Sequence, residues 1–263
     1  MSAARSSRTR STRVHRSGRE APTARAIIVG NEILTGKIAD QNLSVLARTL
    51  RAVGVRLVSA ATIPDDLRVI AREVRSAAKT HDWVFTSGGV GPTHDDVTID
   101  AVARAFSQPV VVSRSLARLI RTTYADKLRD GHLLMARVPR GSKLVASQEI
   151  PWPVVRMRNV WVLPGVPEIF EMKMRLVEKT LGAHPRFHSI ALLTRLDEGN
   201  LKPLLDRVVT AYPDVDVGSY PRWTDPLART KLTFDGHDRD RLEGARDALV
   251  AMLPEGALVG LES

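Results

Sequence analysis

The 263-residue sequence contains no cysteine, and aromatic residues make up only 5% of it. The absence of cysteine excludes disulfides, thiolate metal sites and a thiol nucleophile. No apolar run approaches the roughly 20 residues needed to cross a bilayer, and the N-terminus lacks the apolar segment of a secretory signal. Hydrophobic residues make up 43% of the chain, which is enough to bury a sizeable core. We therefore expect a globular, cytoplasmic protein with no membrane association.

Acidic residues are scarce at the N-terminus. Residues 1–25 contain seven arginines and one acid, Glu20, and so carry +6 of the total charge of +10. This Arg- and Ser-rich composition predicts a disordered basic tail over residues 1–24, with an organellar targeting segment or loose polyanion contact as alternatives. Because most of the excess charge lies in the tail, we do not expect nucleic acid to be a partner of the folded body.

From residue 25 to about residue 182, short apolar runs alternate with amphipathic helical patterns. The run ARAIIVG predicts a buried strand, and Leu43, Leu46 and Leu50 follow at helical spacing. Two more strand-and-helix pairs come next, followed by a less regular stretch. The alternation predicts an α/β fold, a three-layer, mostly parallel sheet with helices on both faces.

The order of elements changes near residue 183. The remaining patterns read strand, helix, strand, strand, helix, strand, which is typical of a split βαβ, ferredoxin-like α+β module. The predicted organisation is therefore a tail over 1–24, a large α/β domain over 25–183 and a small module over 184–263.

Two polar loops follow strands of the predicted parallel sheet, where ligands of open α/β sheets bind. The first, GNEILTGKIAD, contains Gly30, Gly36 and Lys37, but five residues separate its glycines where a phosphate-binding P-loop has four. Neither this loop nor the second, TSGGVGPTHDDVT, contains GxGxxG. The sequence thus favours neither a P-loop nor a dinucleotide-binding Rossmann site.

The second loop has the composition of an anion site. Gly88, Gly89 and Gly91 can expose backbone N–H groups, and Thr93 can donate a hydroxyl. Thr98 is a candidate N-cap of the next helix, whose positive end would then face the same space. The alternative is an ordinary glycine-rich turn, since such residues are the default at strand ends.

Acidic residues in the two loops suggest a metal. Asp95 and Asp96 would repel a phosphate unless a divalent cation lay between them. Glu32 and Asp40 emerge from the same sheet edge and could complete a carboxylate cluster with Asp96, or could cap helices, as we expect of Asp40. His94 could be a metal ligand, a general acid or a solvated loop residue.

The segments GGVGPTHDDVT and VGNEILTGKIADQN closely resemble the molybdopterin-binding, MoaB/Mog-like domain family over residues 25–262. Within this family the sequence is most similar to the N-terminal part of CinA and, nearest, to the molybdopterin-binding-like domain of eukaryotic FAD synthase. Its G-G-x-G-x-T-x-x-D-x-T pattern falls on Gly88, Gly89, Gly91, Thr93, Asp96 and Thr98. Its G-x-E and P-G-x-P segments fall on Gly30 and Glu32, and on Pro164, Gly165 and Pro167.

The resemblance implies metal-dependent hydrolysis of a nucleotide pyrophosphate such as FAD or ADP-ribose. In that reaction Asp96 and Glu32 would hold a divalent Mg, Mn or Co ion and His94 would be the acid. Ligand-binding residues would be Gly30, Gly88, Gly89, Gly91, Thr93, Thr98, Gly165 and Pro167. The alternative is a non-catalytic protein that binds molybdopterin or a nucleotide.

Two departures from the family limit these expectations. Val166 stands where pterin-binding members often have asparagine, which argues against molybdopterin as the ligand. The sequence ends at Ser263, so we expect neither the deamidase activity of full-length CinA nor the nucleotide transfer of FAD synthase. The family also implies a nucleotide or pterin as the small-molecule partner, and a homo-oligomer.

Overall fold

A computed structural model describes residues 21–182 and 184–262 of the chain. Most of the predicted tail therefore lies outside the described residues, although its last two residues, Thr23 and Ala24, belong to the first strand. Within these ranges no helix is long and apolar enough to cross a membrane.

Twelve strands and nine α-helices occur in the described ranges. The strands are β1 Thr23–Val29, β2 Arg56–Ile63, β3 Trp83–Ser87, β4 Val110–Val112, β5 Arg137–Pro139, β6 Lys143–Val145, β7 Val154–Met157, β8 Val160–Leu163, β9 His188–Thr194, β10 Asp216–Pro221, β11 Thr230–Gly236 and β12 Leu258–Glu262. The helices are α1 Asn31–Leu34, α2 Asn42–Ala52, α3 Leu67–Thr80, α4 Thr98–Ala105, α5 Arg114–Tyr124, α6 Asp130–Leu134, α7 Pro167–Leu181, α8 Glu198–Ala211 and α9 Arg239–Val250.

The large domain is built on a six-stranded sheet in the order β2-β1-β3-β8-β7-β6. The first four strands are parallel, and β7 and β6 extend the sheet as antiparallel strands. The predicted mostly parallel α/β fold is confirmed. The sequence did not predict β6 or the short β4–β5 pair, because three-residue strands are too short to show alternation.

Helices cover both faces of this sheet. Successive side chains of a strand point to opposite faces, so Ala26 and Ile28 pack toward α2 and α7. Ile27 and Val29 pack toward α3 and α4. Successive residues of β1 from Ala26 to Val29 are all apolar because both faces of the strand are buried.

The small module is an antiparallel sheet in the order β10-β11-β9-β12, with α8 and α9 packed on it. This is the strand order of the predicted ferredoxin-like fold. Leu192, Leu232 and Phe234 are fully buried in its core. The module contacts the large domain through an ion pair between Arg51 and Asp235.

Two local predictions need correction. The loop GNEILTGKIAD is not a plain turn, because residues Asn31–Leu34 form one turn of helix, α1. Helix α4 has Val97 at its N-cap and Thr98 as its first residue, so Thr98 is not the N-cap. Asp40 lies one residue before Gln41, the N-cap of α2, and its carboxylate accepts hydrogen bonds from the first-turn N–H groups of Asn42 and Leu43.

Candidate functional site

A cavity of about 870 Å³ opens at the carboxyl ends of β1, β3 and β8. The loops that follow these three strands line it, together with residues of α5, α6, β7 and α7. This volume lies within the range of cofactor and small-molecule sites, which are usually 300–1,000 Å³.

The structure brings most of the predicted site residues to this one cavity. Its wall includes Glu32, Gly88, Gly89, Gly91, Thr93, Asp96, Gly165 and Pro167. Three predicted residues are not on the wall, namely Gly30, His94 and Thr98.

The glycine loop after β3 is held by the ends of the two neighbouring strands, β1 and β8. Gly88 has a φ of +100°, and a Cβ there would lie 2.1 Å from the carbonyl oxygen of Val29. Its N–H donates to the carbonyl of Leu163 at 3.2 Å and is therefore not available to a ligand, contrary to the expectation from sequence. In the described part of the chain, the N–H groups of Gly89 and Gly91 have no protein acceptor.

Thr98 holds this loop in place through two hydrogen bonds. Its side chain is fully buried, its hydroxyl donates to the carbonyl of Gly88 at 2.9 Å, and its N–H donates to the carbonyl of Gly89 at 2.9 Å. Thr98 therefore fixes the conformation of the cradle and does not itself face the cavity.

Asp96 folds back over the loop. Its Oδ2 accepts a hydrogen bond from the N–H of Thr93 at 2.8 Å and also contacts the Thr93 hydroxyl, whose single hydrogen it shares with Asp95. A Cβ on Gly91 would lie 2.6 Å from the same oxygen, so a larger residue there would displace the Asp96 carboxylate. The other oxygen, Oδ1, receives no hydrogen bond from the described residues and remains available to a ligand.

Asp95 and His94 lie at the outer side of the loop. Oδ1 of Asp95 is 2.6 Å from the Thr93 hydroxyl, and this hydrogen bond, aided by nearby His94, holds the pKa of the Asp95 carboxyl below its usual value. The His94 side chain is 97% exposed, with Nδ1 4.0 Å from Asp95 Oδ1. The structure therefore does not bring His94 into the cavity, and its role as a general acid stays a prediction.

The carboxylates on the wall could hold a hard cation only together with a ligand. Glu32 lies in the first turn of α1, with its carboxylate against Gly30, where a Cβ would lie 2.5 Å from Oε1. The Asp40 carboxylate is engaged by the first turn of α2. Over residues 21–182 and 184–262, no group of three or more His, Asp or Glu side chains could hold a metal by itself. Asp96 and Glu32 suit an ion that takes one or two carboxylates plus phosphate oxygens, as Mg²⁺ commonly does.

Asn42 is a site residue that the sequence analysis missed. It is only 4% exposed, and its Nδ2 donates to Ser87 Oγ at 2.9 Å and to the carbonyl of Gly165 at 2.8 Å. A Cβ on Gly165 would lie 3.3 Å from the Cα of Gly88, so the loops after β3 and β8 touch at this point. Asn42 thus ties together the loops that follow three strands. It lies within the segment that carries the family resemblance.

Lys173 was also missed. It lines the cavity from α7, is 3% exposed, and its Nζ donates to the carbonyl of Trp152. Burial lowers the pKa of Lys173 to about 8. Lys173 lies three residues after Phe170 and four before Val177, both buried, so its place on the apolar stripe of α7 was a readable signal.

Comparisons with known proteins agree with this architecture. Residues 25–183 match a family model described as "Probable molybdopterin binding domain", and residues 186–262 match one described as "FAD synthase, middle domain". A protein of Archaeoglobus fulgidus is 34% identical over 83% of this chain and 93% of its own length. A "Probable FAD synthase" of Caenorhabditis briggsae is 33% identical over 88% of this chain, which spans 49% of that protein.

A solved structure is also similar. The protein CinA from Thermoplasma acidophilum superposes with a TM-score of 0.55 and 30% identity, over 61% of this chain and 98% of that one. The match to the family model covers more than half of the sequence and includes every loop that forms the glycine-lined wall. The chain therefore belongs to the molybdopterin-binding domain family, and its second module matches the model of the FAD synthase middle domain.

Proposed function

We propose that this protein is a metal-dependent hydrolase of nucleotide pyrophosphates, with FAD and ADP-ribose as representative substrates. The observation that carries the proposal is that the glycine loop, Asp96 and Glu32 line one and the same cavity. The cavity is far larger than a pyrophosphate group alone requires and suits a ligand with a base or ring attached.

The roles of the residues follow from their contacts. Unpaired N–H groups at Gly89 and Gly91 would hold phosphate oxygens, where preorganised donors stabilise developing negative charge. Thr98 and Asn42 keep the loop in place before the ligand arrives. Asp96 and Glu32 would hold a divalent ion of the Mg, Mn or Co type. When bound, such an ion would neutralise charge on the phosphoanhydride and lower the pKa of a water.

A second candidate function is binding without turnover, with a nucleotide or pterin as ligand. The absence of a three-residue metal cluster within the described residues favours it, because the protein alone supplies few ligands for a catalytic ion. The exposed position of His94 also means that the general acid expected from the sequence does not line the cavity.

A panel of substrates and metals tests the proposal. The purified protein would be incubated with FAD, ADP-ribose and NAD, each with Mg²⁺, Mn²⁺ or Co²⁺ and each with chelator, and the mononucleotide products separated by chromatography. We expect turnover of at least one substrate with metal and none with chelator. Saturable binding by calorimetry with no product under any condition would instead support the binding function.

A further inference from the structure

Lys173 lines the same cavity as the glycine loop, but from helix α7. Its ammonium group has three hydrogens to donate, and the carbonyl of Trp152 accepts one of them. Among the described residues no carboxylate lies within 4.0 Å of its Nζ. A cation that is 3% exposed thus lines a ligand-sized cavity with donors to spare.

The wall around Lys173 is apolar. Ile169 and Met172 reach the cavity from the same helix, and Pro153 and Val154 reach it from the segment that follows Trp152. Isolated cations are costly to bury in such surroundings unless an acceptor is supplied. The pKa of about 8 means that the amine is still mostly protonated at pH 7.

A ligand can supply the acceptor for the remaining hydrogens of the ammonium group. We propose that Lys173 binds a ring carbonyl oxygen of a heteroaromatic base, so that the cavity holds a nucleotide by two ends. The phosphate end lies on the glycine loop, and the ring lies between the apolar side chains of α7 and those around Trp152. This inference rests on the proposed nucleotide site and adds the recognition of the base.

A flat ring with carbonyl edges suits this wall better than a second phosphate. The apolar side chains provide surface for the faces of a ring, whereas a phosphate needs several donors. Flavin and uracil rings both carry carbonyl groups beside a ring N–H, and adenine carries none. A comparison of mononucleotides with and without ring carbonyls therefore distinguishes recognition of the base from recognition of the phosphate.

The experiment compares four probes by calorimetry, each with and without Mg²⁺, because the proposed phosphate site includes a cation and the three mononucleotides contain no pyrophosphate bond to cleave. They are FMN and UMP, which carry ring carbonyls, AMP, which does not, and inorganic pyrophosphate, which has no ring. Each would be titrated into the wild type, Lys173→Met and Lys179→Met. Lys179 is an exposed lysine of the same helix and lies off the cavity wall, so its variant is the matched control.

We expect Lys173→Met to lower the affinity for FMN or UMP by about ten-fold or more, as for a lost hydrogen bond to a charged group. AMP and pyrophosphate should stay within about two-fold, and Lys179→Met should change nothing. If Lys173→Met loses affinity for FMN alone, the bound ring is of the flavin type. If it loses affinity for UMP alone, the bound ring is a pyrimidine.

Unchanged affinity for both FMN and UMP would overturn the inference, and so would equal loss for all four probes, because Lys173 would then act on the phosphate. Both results leave the proposed function standing. If the wild type binds none of the four, the proposed nucleotide site falls as well.

Discussion

The buried charge of Lys173 lowers the stability of the folded protein. Its neighbours in α7, Phe170 and Val177, are fully buried, and a methionine would fill the same position without a charge. Retaining an ammonium there is understandable if a ligand uses it, since functional groups are often held in destabilising surroundings.

The variant Lys173→Met should therefore be more stable than the wild type at pH 7, by about 1–3 kcal/mol. Lysine keeps its proton to a higher pH in the unfolded chain than in the folded one, so wild-type stability rises with pH between about 8 and the ordinary value of 10.5. The advantage of the variant is complete below pH 8 and fades across that window.

Urea unfolding of both proteins at pH 7, 8.5 and 10 measures this difference. A variant that is less stable than the wild type at pH 7, or an advantage that does not shrink toward pH 10, would show that Lys173 is not held against a desolvation cost. Lys179→Met again provides the control, because Lys179 is exposed on the same helix.

At the residue scale, sequence reasoning located the loop but not each partner. Gly89, Gly91 and Asp96 lie on the cavity wall, as the pattern of TSGGVGPTHDDVT suggests. The use of the Gly88 N–H by Leu163 could not be foreseen, because it depends on the register between β3 and β8. The sequence also could not predict whether His94 faces the cavity, because a loop has no periodic pattern from which the direction of a side chain can be inferred.

At the scale of elements, the loop between β3 and α4 is a rigid connection. Gly89 has a φ of +65°, and a Cβ there would lie 2.4 Å from Thr98 Oγ1, the hydroxyl that braces the loop. A side chain at this position meets both backbone strain and a buried neighbour.

The substitution Gly89→Ala should lower the free energy of unfolding by about 2–4 kcal/mol, through strain at positive φ and displacement of Thr98. Gly141→Ala is the matched control, because Gly141 also has a positive φ, +84°, but nothing lies within 4 Å of the added carbon. It should cost only about 1 kcal/mol. Equal losses in the two variants, measured by denaturant unfolding, would contradict a brace between Gly89 and Thr98.

Long elements were predictable and short ones were not. The strands of the parallel core and the longer helices show their periodicity in sequence, because each is buried on a defined face. Strands β4, β5 and β6 have three residues each, and α1 has four, so tertiary contacts alone decide their conformation. For α1, one such contact is the hydrogen bond from the N–H of Asn31 to Asp65 Oδ2 at 2.7 Å.

On the scale of the whole molecule, the cavity depends on the parallel sheet. Glu32, Asp96 and Gly165 are far apart in sequence but follow β1, β3 and β8, which are neighbours in the sheet. The alternation of strands and helices predicted this convergence. The wall contributed by α5, α6 and β7 was not predicted, because it arises from the irregular stretch between α4 and β8.

The small module follows the split βαβ order that its sequence predicts, and its core is separate from the two that flank the large sheet. None of the module residues that the structure describes lines the cavity. The proposed chemistry therefore belongs to the large domain.

The most direct measurement is the release of FMN and AMP from FAD, with Mg²⁺, Mn²⁺ or Co²⁺, by the wild type, Asp96→Asn and Asp95→Asn. Asp95 is the matched control because it carries the same charge in the same loop but does not line the cavity. We predict that Asp96→Asn lowers kcat by about 100-fold or more, as for the loss of a group acting in the transition state. Asp95→Asn should stay within a few-fold of the wild type. Undetectable FAD cleavage with every metal, or equal rates for Asp96→Asn and the wild type, would contradict this prediction.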